Sequence, residues 1–174
     1  MLTGKTLVIT GVSSGIGART AELAIAQGAD VIGIDMRDPL AKHGAFLKGD
    51  VSNPDGVSDV ARQLPKRFDA LLNVAGVSGS GGAAITLAIN FYGLRHLSEL
   101  LAPQIREGGA VVNVASIAGY GWRANLERAR RMVGVQGFPD IEKVMADNQV
   151  PNEIGYPLSK ELLILWTQLA AHQP

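Results

Sequence analysis

The sequence predicts an α/β fold in which helices cover a doubly wound parallel sheet. Several short runs are almost continuously apolar, as strands buried on both faces of a parallel sheet are. These runs alternate with helix-forming segments over short links, which is the pattern of β–α–β units. The 21 glycines cluster in turns that follow the apolar runs. A chain of 174 residues fits a single domain, and we assign residues 1–174 to it.

The predicted elements follow one another in a regular order. The predicted strands are residues 6–10, 30–35, 46–51, 68–74 and 110–115. The predicted helices are residues 16–27, 54–63, 83–105 and 156–171. Gly28 is placed to end the first helix, and Ser52 or Asn53 to cap the second. Gly108 and Gly109 are expected to break the third helix before the last strand.

Residues 119–150 interrupt this alternation. The segment is rich in Arg and Glu and has a helical pattern, which Gly134, Gly137 and Pro139 divide in two. We therefore interpret it as an inserted helical segment that precedes the last helix.

The composition argues against several classes of function. The 16 basic and 16 acidic side chains balance, so nothing in the charge favours nucleic acid or an anionic membrane as a partner. The chain has no cysteine, which excludes disulfides and thiol nucleophiles, and its three histidines share no ligand spacing, so no metal site is expected. No signal peptide is visible, and no apolar run approaches the ~20 residues of a membrane span. We expect a cytoplasmic location.

The first predicted strand leads into a glycine turn. Gly11, Gly15 and Gly17 have the spacing G-x-x-x-G-x-G, and a helix-forming segment follows. Glycines allow the backbone to approach an anion, and a helix N-terminus points free N–H groups at it. The turn therefore predicts a phosphate site, although a purely structural turn between strand and helix remains an alternative.

Asp35 ends the second predicted strand, 18 positions after Gly17. In a dinucleotide-binding fold, an acid at this place accepts hydrogen bonds from the adenosine ribose. Its charge repels a 2′-phosphate, which favours NAD over NADP, and Arg37 could soften this preference. The alternative is a solvated aspartate at a strand end.

Tyr156 and Lys160 are four positions apart, which places both side chains on one face of a helix. An ammonium group near a phenol favours the phenolate, so that the tyrosine can exchange protons with an alcohol or an alkoxide. The same spacing also occurs by chance in many helices. Pro157 disfavours a helical conformation at Tyr156, so Tyr156 is expected to be a cap residue of a helix that begins at Pro157.

Two further polar residues are candidates for the same site. Ser116 follows the last strand and is expected to point into the crevice beyond the carboxyl ends of the strands, where it could hold a carbonyl oxygen. Asn90 lies within the third helix, where an amide is more often exposed to solvent, but it could bind a water molecule and connect it to Lys160.

Together these residues resemble the short-chain dehydrogenase/reductase family. The matching segments are Thr10-Gly-Val-Ser-Ser-Gly-Ile-Gly17, Asp50-Val51, Asn73-Val-Ala-Gly76, Asn90, Ser116 and Tyr156-Pro-Leu-Ser-Lys160. They occur in the family's order and cover most of the chain. The resemblance implies a Rossmann-like fold and hydride transfer between a nicotinamide and an alcohol or carbonyl compound.

The resemblance also implies roles for the catalytic residues. Tyr156 would be the acid/base, and Lys160 would favour its phenolate and hold the nicotinamide ribose. Ser116 would orient the substrate carbonyl, and Asn90 would hold a water molecule in a proton relay. The implied partner is a small-molecule alcohol or ketone.

For the cofactor, the resemblance implies an NAD site. Its residues would be Gly11, Ser13, Ser14, Gly15, Ile16, Gly17, Asp35, Met36, Arg37, Asp50, Val51, Asn73, Ala75, Gly76, Tyr156 and Lys160. Asp50 and Val51 would flank the adenine, and Asn73 would stabilise the central strands.

The chain departs from the family pattern between Ser116 and Tyr156, which are 40 positions apart instead of a dozen or so. The 3α-hydroxysteroid dehydrogenase/carbonyl reductase subgroup is similar here, since it also has a helical insertion at this place. A hydroxysteroid or another carbonyl compound is therefore the expected substrate, and a homodimer or homotetramer the expected assembly. The insertion could act as a lid or could block a subunit contact.

The second departure is at the chain's end. Pro174 follows soon after the catalytic helix, whereas family members continue with further strands. The sheet is therefore expected to lack the family's usual C-terminal strands, which would leave the fifth strand at an edge. A sugar-nucleotide epimerase or dehydratase, which shares the Tyr and Lys pair, and an inactive or truncated dinucleotide-binding fragment remain alternative readings. Retention of all four catalytic residues argues against a non-catalytic sensor.

Overall fold

The computed structural model describes residues 1–39 and 44–171 and confirms the predicted fold class. Its sheet has five parallel strands in the order β3-β2-β1-β4-β5. The strands are β1 (Thr6–Thr10), β2 (Asp30–Asp35), β3 (Ala45–Lys48), β4 (Phe68–Asn73) and β5 (Ile105–Asn113). Within the described residues, β5 lies at one edge of the sheet, as expected.

Helices connect the strands and fill the second half of the chain. They are α1 (Gly15–Ala26), α2 (Pro54–Gln63), α3 (Ala83–Leu87), α4 (Leu94–Leu101), α5 (Leu126–Val133), α6 (Ile141–Asp147) and α7 (Gly155–Ala170). A π-helical segment, Ala88–Gly93, joins α3 to α4. Short 3₁₀ segments cover Ala102–Gln104, Ile117–Arg123 and Asn152–Ile154.

The chain packs as two compact units. The sheet unit comprises residues 1–75 and 97–114, and the helical unit comprises residues 76–96 and 115–174. In the sheet unit, β1 is the central strand, and its Val8 and Ile9 are completely buried. The assignment of the whole chain to one domain stays a prediction.

The inserted segment contributes α5 and α6 to the core of the helical unit. Ala129 and Met132 of α5 and Val144 of α6 are buried in the same apolar cluster as Leu158 and Leu162 of α7. The prediction of a helical pair at this place is therefore correct.

Two buried side chains hold the C-terminal end of α5. The Arg95 guanidinium donates hydrogen bonds to the carbonyls of Val133 (3.0 Å) and Gly137, and the Tyr92 hydroxyl donates to the Met132 carbonyl (3.2 Å). A cation is favourable at a helix C-terminus, where carbonyl groups lack partners within the helix. Burial raises the pKa of the Tyr92 hydroxyl to about 12, so this group remains a donor at all ordinary pH values.

Several predicted boundaries are wrong. The third strand ends at Lys48 rather than at residue 51, and the predicted helix of residues 83–105 ends with the 3₁₀ segment at Gln104. The strand β5 starts five residues earlier than predicted, because the two glycines form an irregularity within the strand instead of preceding it. A Cβ on Gly109 would lie 2.4 Å from the Asp69 carbonyl oxygen of β4, so only glycine fits this approach.

Other local predictions are confirmed. The helix α1 ends just before Gly28, whose φ of 89° is the left-handed conformation that glycine adopts readily. The Asn53 side chain caps α2 by accepting a hydrogen bond from the Gly56 N–H (2.8 Å).

Candidate active site

The glycine turn between β1 and α1 is closed by tight backbone contacts. A Cβ on Gly17 would lie 2.1 Å from the carbonyl oxygen of Gly11, and a Cβ on Gly11 would lie 2.8 Å from the Ala75 backbone. Gly11 also has a φ of 78°. Both positions therefore require glycine for steric reasons, and their absence of side chains brings the start of α1 against the end of β1.

The N-terminus of α1 is open to solvent. Gly15 has open space where its Cβ would be, and Ser14, Gly15 and Ile16 are exposed. Within the described chain, the N-cap residue Ser14 makes no capping hydrogen bond through its side chain. First-turn N–H groups of a helix without such a cap are suited to bind an anion.

Asp35 connects this turn to the end of β2. Its carboxylate accepts hydrogen bonds from the N–H groups of Ser13 and Arg37, each at 3.0 Å. The Ser13 hydroxyl donates in turn to the Arg37 carbonyl. These bonds use two of the about four acceptor sites that an ionised carboxylate has. Met36 and Arg37 are exposed.

The other predicted cofactor residues of the sheet unit make structural contacts. Asp50 accepts hydrogen bonds from Ser52 N–H (2.8 Å) and from Asn53 Nδ2 (3.1 Å), which orders the start of α2 next to the buried Val51. Asn73 is completely buried. Its Nδ2 donates to Ser98 Oγ and Asn113 Oδ1, both at 2.8 Å, and so links β4 to β5.

In the helical unit, Asn90 is buried within the π-helical segment instead of facing solvent. Its Oδ1 accepts from Val77 N–H (2.8 Å), and its Nδ2 donates to the Val77 carbonyl (2.9 Å) and to Ser159 Oγ (3.2 Å). These three bonds order the segment that starts at Gly76. π-Helical turns of this kind often occur at functional sites.

Lys160 shares this environment with Asn90. A Cβ on Gly76 would lie 3.2 Å from Asn90 Oδ1 and 3.9 Å from Lys160 Nζ, so both polar groups lie on the side of Gly76 where a side chain would project. The Lys160 side chain is buried, and burial lowers its pKa. Its Nζ lies 5.9 Å from the centre of the Tyr156 ring.

Tyr156 is the second residue of α7, so the expectation that it caps the helix is wrong. Pro157 is tolerated there because the first N–H groups of a helix have no partner within the helix. At the first residue of the helix, Gly155, a Cβ would lie only 2.5 Å from the Ala83 backbone, so this close approach requires glycine. Tyr156 is half-buried, and the backbone of Gly79 packs against its Cβ.

Ser116 is the N-cap of the 3₁₀ segment Ile117–Arg123 and has an extended backbone. Its Oγ accepts a hydrogen bond from Ala118 N–H at 3.2 Å. A hydroxyl that accepts this bond still has its proton to donate. The helical unit thus contains all four predicted catalytic residues.

The sequence predicts no role for three residues whose side chains hold together segments of the sheet unit or of the helical unit. Thr10 Oγ1 accepts from the N–H groups of Val74 and Ala75, both at 3.0 Å. Asn152 Oδ1 accepts from Ala83 N–H (2.7 Å) at the start of α3, a contact 69 positions away that no local pattern signals. Glu161 is buried on α7. Its burial could have been predicted, because it lies three positions after Leu158 and therefore on the apolar face of the helix.

Two features, a metal-binding cluster and a membrane-spanning helix, are absent from the described residues. No group of three or more His, Cys, Asp or Glu side chains among them could hold a metal ion. In the same part of the chain, no helix combines the length and the apolar character that a membrane span requires.

Comparison with known proteins decides the family. Residues 5–126 match the sequence model of the short chain dehydrogenases. The chain is 40% identical over 172 residues to a coniferyl-alcohol dehydrogenase of Pseudomonas sp. (strain HR199 / DSM 7063), covering 99% of this chain and 68% of that protein. This chain belongs to the short-chain dehydrogenase family.

More distant relatives agree with this assignment. Momilactone A synthase of Oryza sativa subsp. japonica is 32% identical over 143 residues, which cover 67% of this chain and 52% of that one. The crystal structure of the 3-alpha-hydroxysteroid dehydrogenase from Pseudomonas sp. B-0831, complexed with NADH, superimposes with a TM-score of 0.74 at 30% identity. The match covers 95% of this chain and 64% of that structure, so the chain spans just under two thirds of its length.

Proposed function

We propose that the protein is an NAD(H)-dependent oxidoreductase that interconverts a secondary alcohol and a ketone. The observation that carries the proposal is the buried Lys160, whose ammonium group lies near the Tyr156 ring and, like the Asn90 amide, beside Gly76. A buried lysine with a lowered pKa beside a half-exposed phenol is an arrangement suited to proton transfer.

The residues of the helical unit would perform the proton chemistry. In the direction of reduction, the Tyr156 hydroxyl gives its proton to the carbonyl oxygen, and in oxidation the phenolate takes it back. The Ser116 hydroxyl donates a hydrogen bond to the same oxygen, while its own oxygen remains held by Ala118 N–H. The Lys160 ammonium stabilises the phenolate. A nicotinamide cofactor, when bound, would supply the hydride that the carbonyl carbon gains in reduction, or would accept the hydride that the alcohol carbon loses in oxidation.

Asn90 has a different part in this proposal from the one that the sequence predicts. Both Nδ2 donors and one acceptor site of its amide are already used within the protein. The side chain is therefore best suited to fix Val77 and the backbone at Gly76. A water molecule for the relay would be held by the remaining acceptor site or by main-chain groups near Lys160.

The sheet unit would bind the adenosine and pyrophosphate parts of the cofactor. The exposed N-terminus of α1 suits the pyrophosphate, and the Asp35 carboxylate, held by two N–H groups, suits the ribose hydroxyls. A carboxylate at this position repels a 2′-phosphate, which supports NAD over NADP. The similar hydroxysteroid dehydrogenase is a complex with NADH.

The substrate class is supported by two relatives. The similarity to a 3-alpha-hydroxysteroid dehydrogenase favours a hydroxysteroid or another carbonyl compound. The 40% identity to a coniferyl-alcohol dehydrogenase favours an aromatic allylic alcohol as a second candidate. We retain the homodimer or homotetramer and the cytoplasmic location as parts of the proposal.

The test compares wild type with Tyr156→Phe. Both proteins are incubated with NADH or NADPH and with ketosteroids, coniferyl aldehyde, quinones and a sugar nucleotide, and consumption of the reduced cofactor is followed by absorbance. We expect turnover with NADH, and a fall of about 10²- to 10⁴-fold in Tyr156→Phe. Tyr120→Phe is the matched control, because Tyr120 is an exposed tyrosine of the same unit. Equal rates for wild type and Tyr156→Phe would refute the mechanism.

A further inference from the structure

Glu161 is a buried carboxylate that the proposed reaction does not use. It follows Lys160 on α7 and is only 6% exposed. Its Oε1 accepts a hydrogen bond from Asn125 Nδ2 at 3.0 Å. Its Oε2 is buried and has no hydrogen-bond partner among the residues that the structure describes. A buried polar atom without a partner costs stability, so the packing of α7 alone gives no reason for an acid here.

The surface opposite Glu161 is the 3₁₀ segment Ile117–Arg123. A Cβ on Gly119 would lie 2.8 Å from the carbonyl carbon of Lys160 and 2.9 Å from its oxygen. A Cβ on Gly121 would lie 3.0 Å from Glu161 Oε1. The segment therefore lies directly on α7 through two glycines, one against the backbone and one against the carboxylate.

Ser116 is rigidly connected to this segment. Gly119 N–H donates to the Ser116 carbonyl (3.0 Å), and Ala118 N–H donates to Ser116 Oγ (3.2 Å). At the other end, Ala124 N–H donates to the Gly121 carbonyl (3.0 Å), just before Asn125. A displacement of the segment along α7 would therefore move the Ser116 hydroxyl.

We propose that Glu161, through its hydrogen bond to Asn125 and its contact with Gly121, is the positioning residue that sets where the Ser116 hydroxyl lies along α7. The Gly119 contact fixes the near end of the segment, and the Asn125–Glu161 bond fixes the far end. The catalytic consequence rests on the function proposed above, because it assumes that Ser116 binds the substrate carbonyl. The geometric claim, that Glu161 orders the segment, does not rest on the proposed function.

A double-mutant cycle tests the catalytic consequence. Glu161→Leu removes the acceptor, and Glu161→Gln keeps an oxygen for Asn125. With the substrate of the panel that is turned over fastest, Glu161→Leu should lower kcat about 10- to 100-fold, because small misplacements of a catalytic group have large effects. Glu161→Gln should stay within about threefold of wild type. The affinity for NADH, measured by fluorescence titration, should not change.

The decisive comparison is made in a Ser116→Ala background. If Glu161 acts through Ser116, Glu161→Leu should lower kcat by less than about twofold once the hydroxyl is gone. The same fall in both backgrounds, or equal damage from Glu161→Gln and Glu161→Leu, would overturn the inference. If Glu161→Leu does not fold, Asn125→Leu removes the same hydrogen bond from a half-buried position and carries the same expectations.

A second readout does not depend on turnover. Amide hydrogen exchange at Ala118 and Gly119 should become faster in Glu161→Leu and stay as in wild type in Glu161→Gln. Unchanged exchange in Glu161→Leu would refute the positioning role. A protein that shows the faster exchange but no reaction with NADH or NADPH would refute the proposed function and support the positioning role.

Discussion

In the sheet unit, the groups suited to face a ligand belong to the main chain, apart from the Asp35 carboxylate, whereas in the helical unit they are side chains, of which two are buried and two are half-buried. The turn from Gly11 to Gly17 works by the absence of side chains, which exposes N–H groups at the start of α1. Asn90 and Lys160 instead bring an amide and an ammonium group into the interior. Adding atoms should therefore damage the sheet unit, and removing functional groups should damage the helical unit.

The two units also differ in how they treat a buried charge. Asp69 of the sheet unit accepts hydrogen bonds from Thr6 N–H (2.8 Å), Lys5 (3.1 Å) and Arg106 (2.7 Å). The bond from Thr6, followed by Lys5, lowers the pKa of Asp69 below 3.8. Asp69 thus contributes stability that is present above the unfolded pKa and is lost as the pH falls through the lowered one. The charged form of Lys160 in the helical unit is instead disfavoured in the folded state, because burial lowers the pKa of this cation.

Lys160→Met gives the largest effect that we expect. Loss of the ammonium group should lower kcat about 100-fold or more, because in the proposed mechanism the phenolate of Tyr156 would lose its stabilising charge. The same change should raise the midpoint of thermal unfolding at neutral pH. The native state of wild type releases the Lys160 proton at a lower pH than the unfolded chain does, so its stability should rise as the pH passes from the lowered pKa towards 10.5. The variant should lose this rise.

The control for this prediction is Lys143→Met. Lys143 is an exposed lysine of the same unit, paired with Asp147 at 2.9 Å, and its pKa is raised by that hydrogen bond. Its removal should leave kcat unchanged and should not raise the unfolding temperature. A Lys160→Met protein that is no more stable than wild type at pH 7 would show that the contacts of Lys160 outweigh its desolvation.

The difference between the two units also explains which features could be predicted from the sequence. The strand–turn–helix at the glycines, the position of Asp35 at the end of β2 and the cap at Asn53 could be predicted from local spacing, because each lies within one β–α unit or at a strand end. The ribose role of Asp35 stays a prediction. The burial of Asn90 could not be predicted, since it depends on Val77 and Ser159, the latter 69 positions away. The start of α7 at Gly155 could not be predicted either, since Tyr156 is helical despite the local preference that Pro157 imposes on it.

Gly15→Ala gives the next largest effect and concerns the main chain of the sheet unit. A side chain at a φ of 56° costs roughly 1–2 kcal/mol of stability. The added methyl group also projects into the open space at the N-terminus of α1, where the pyrophosphate would bind. We therefore expect the dissociation constant for NADH to rise about tenfold or more.

Gly4→Ala separates the effect of backbone strain from the effect of a methyl group in the phosphate site. Gly4 belongs to the same unit, has a φ of 74° and also has open space around its Cβ position, but it lies before β1. The Gly4→Ala protein should lose about as much stability as the Gly15→Ala protein, but its affinity for NADH should not change. Fluorescence titration and thermal unfolding of both variants make the comparison. An equal loss of affinity in both would show that backbone strain, and not the phosphate site, explains the effect.

Asp35→Asn gives the smallest effect and tests whether the sheet unit contains any side chain that recognises the ligand. The amide keeps the shape but only one acceptor oxygen, so it can keep only one of the hydrogen bonds from Ser13 and Arg37 N–H. It also loses the charge that would strengthen hydrogen bonds to the ribose and repel a 2′-phosphate. The affinity for NADH should fall about five- to tenfold, and the affinity for NADPH should fall less or rise. Asp38→Asn is the control, because Asp38 is exposed and pairs with Lys48. If Asp35→Asn weakens both cofactors equally, its role is limited to the bonds with Ser13 and Arg37, and selectivity between the cofactors would have to arise from other groups.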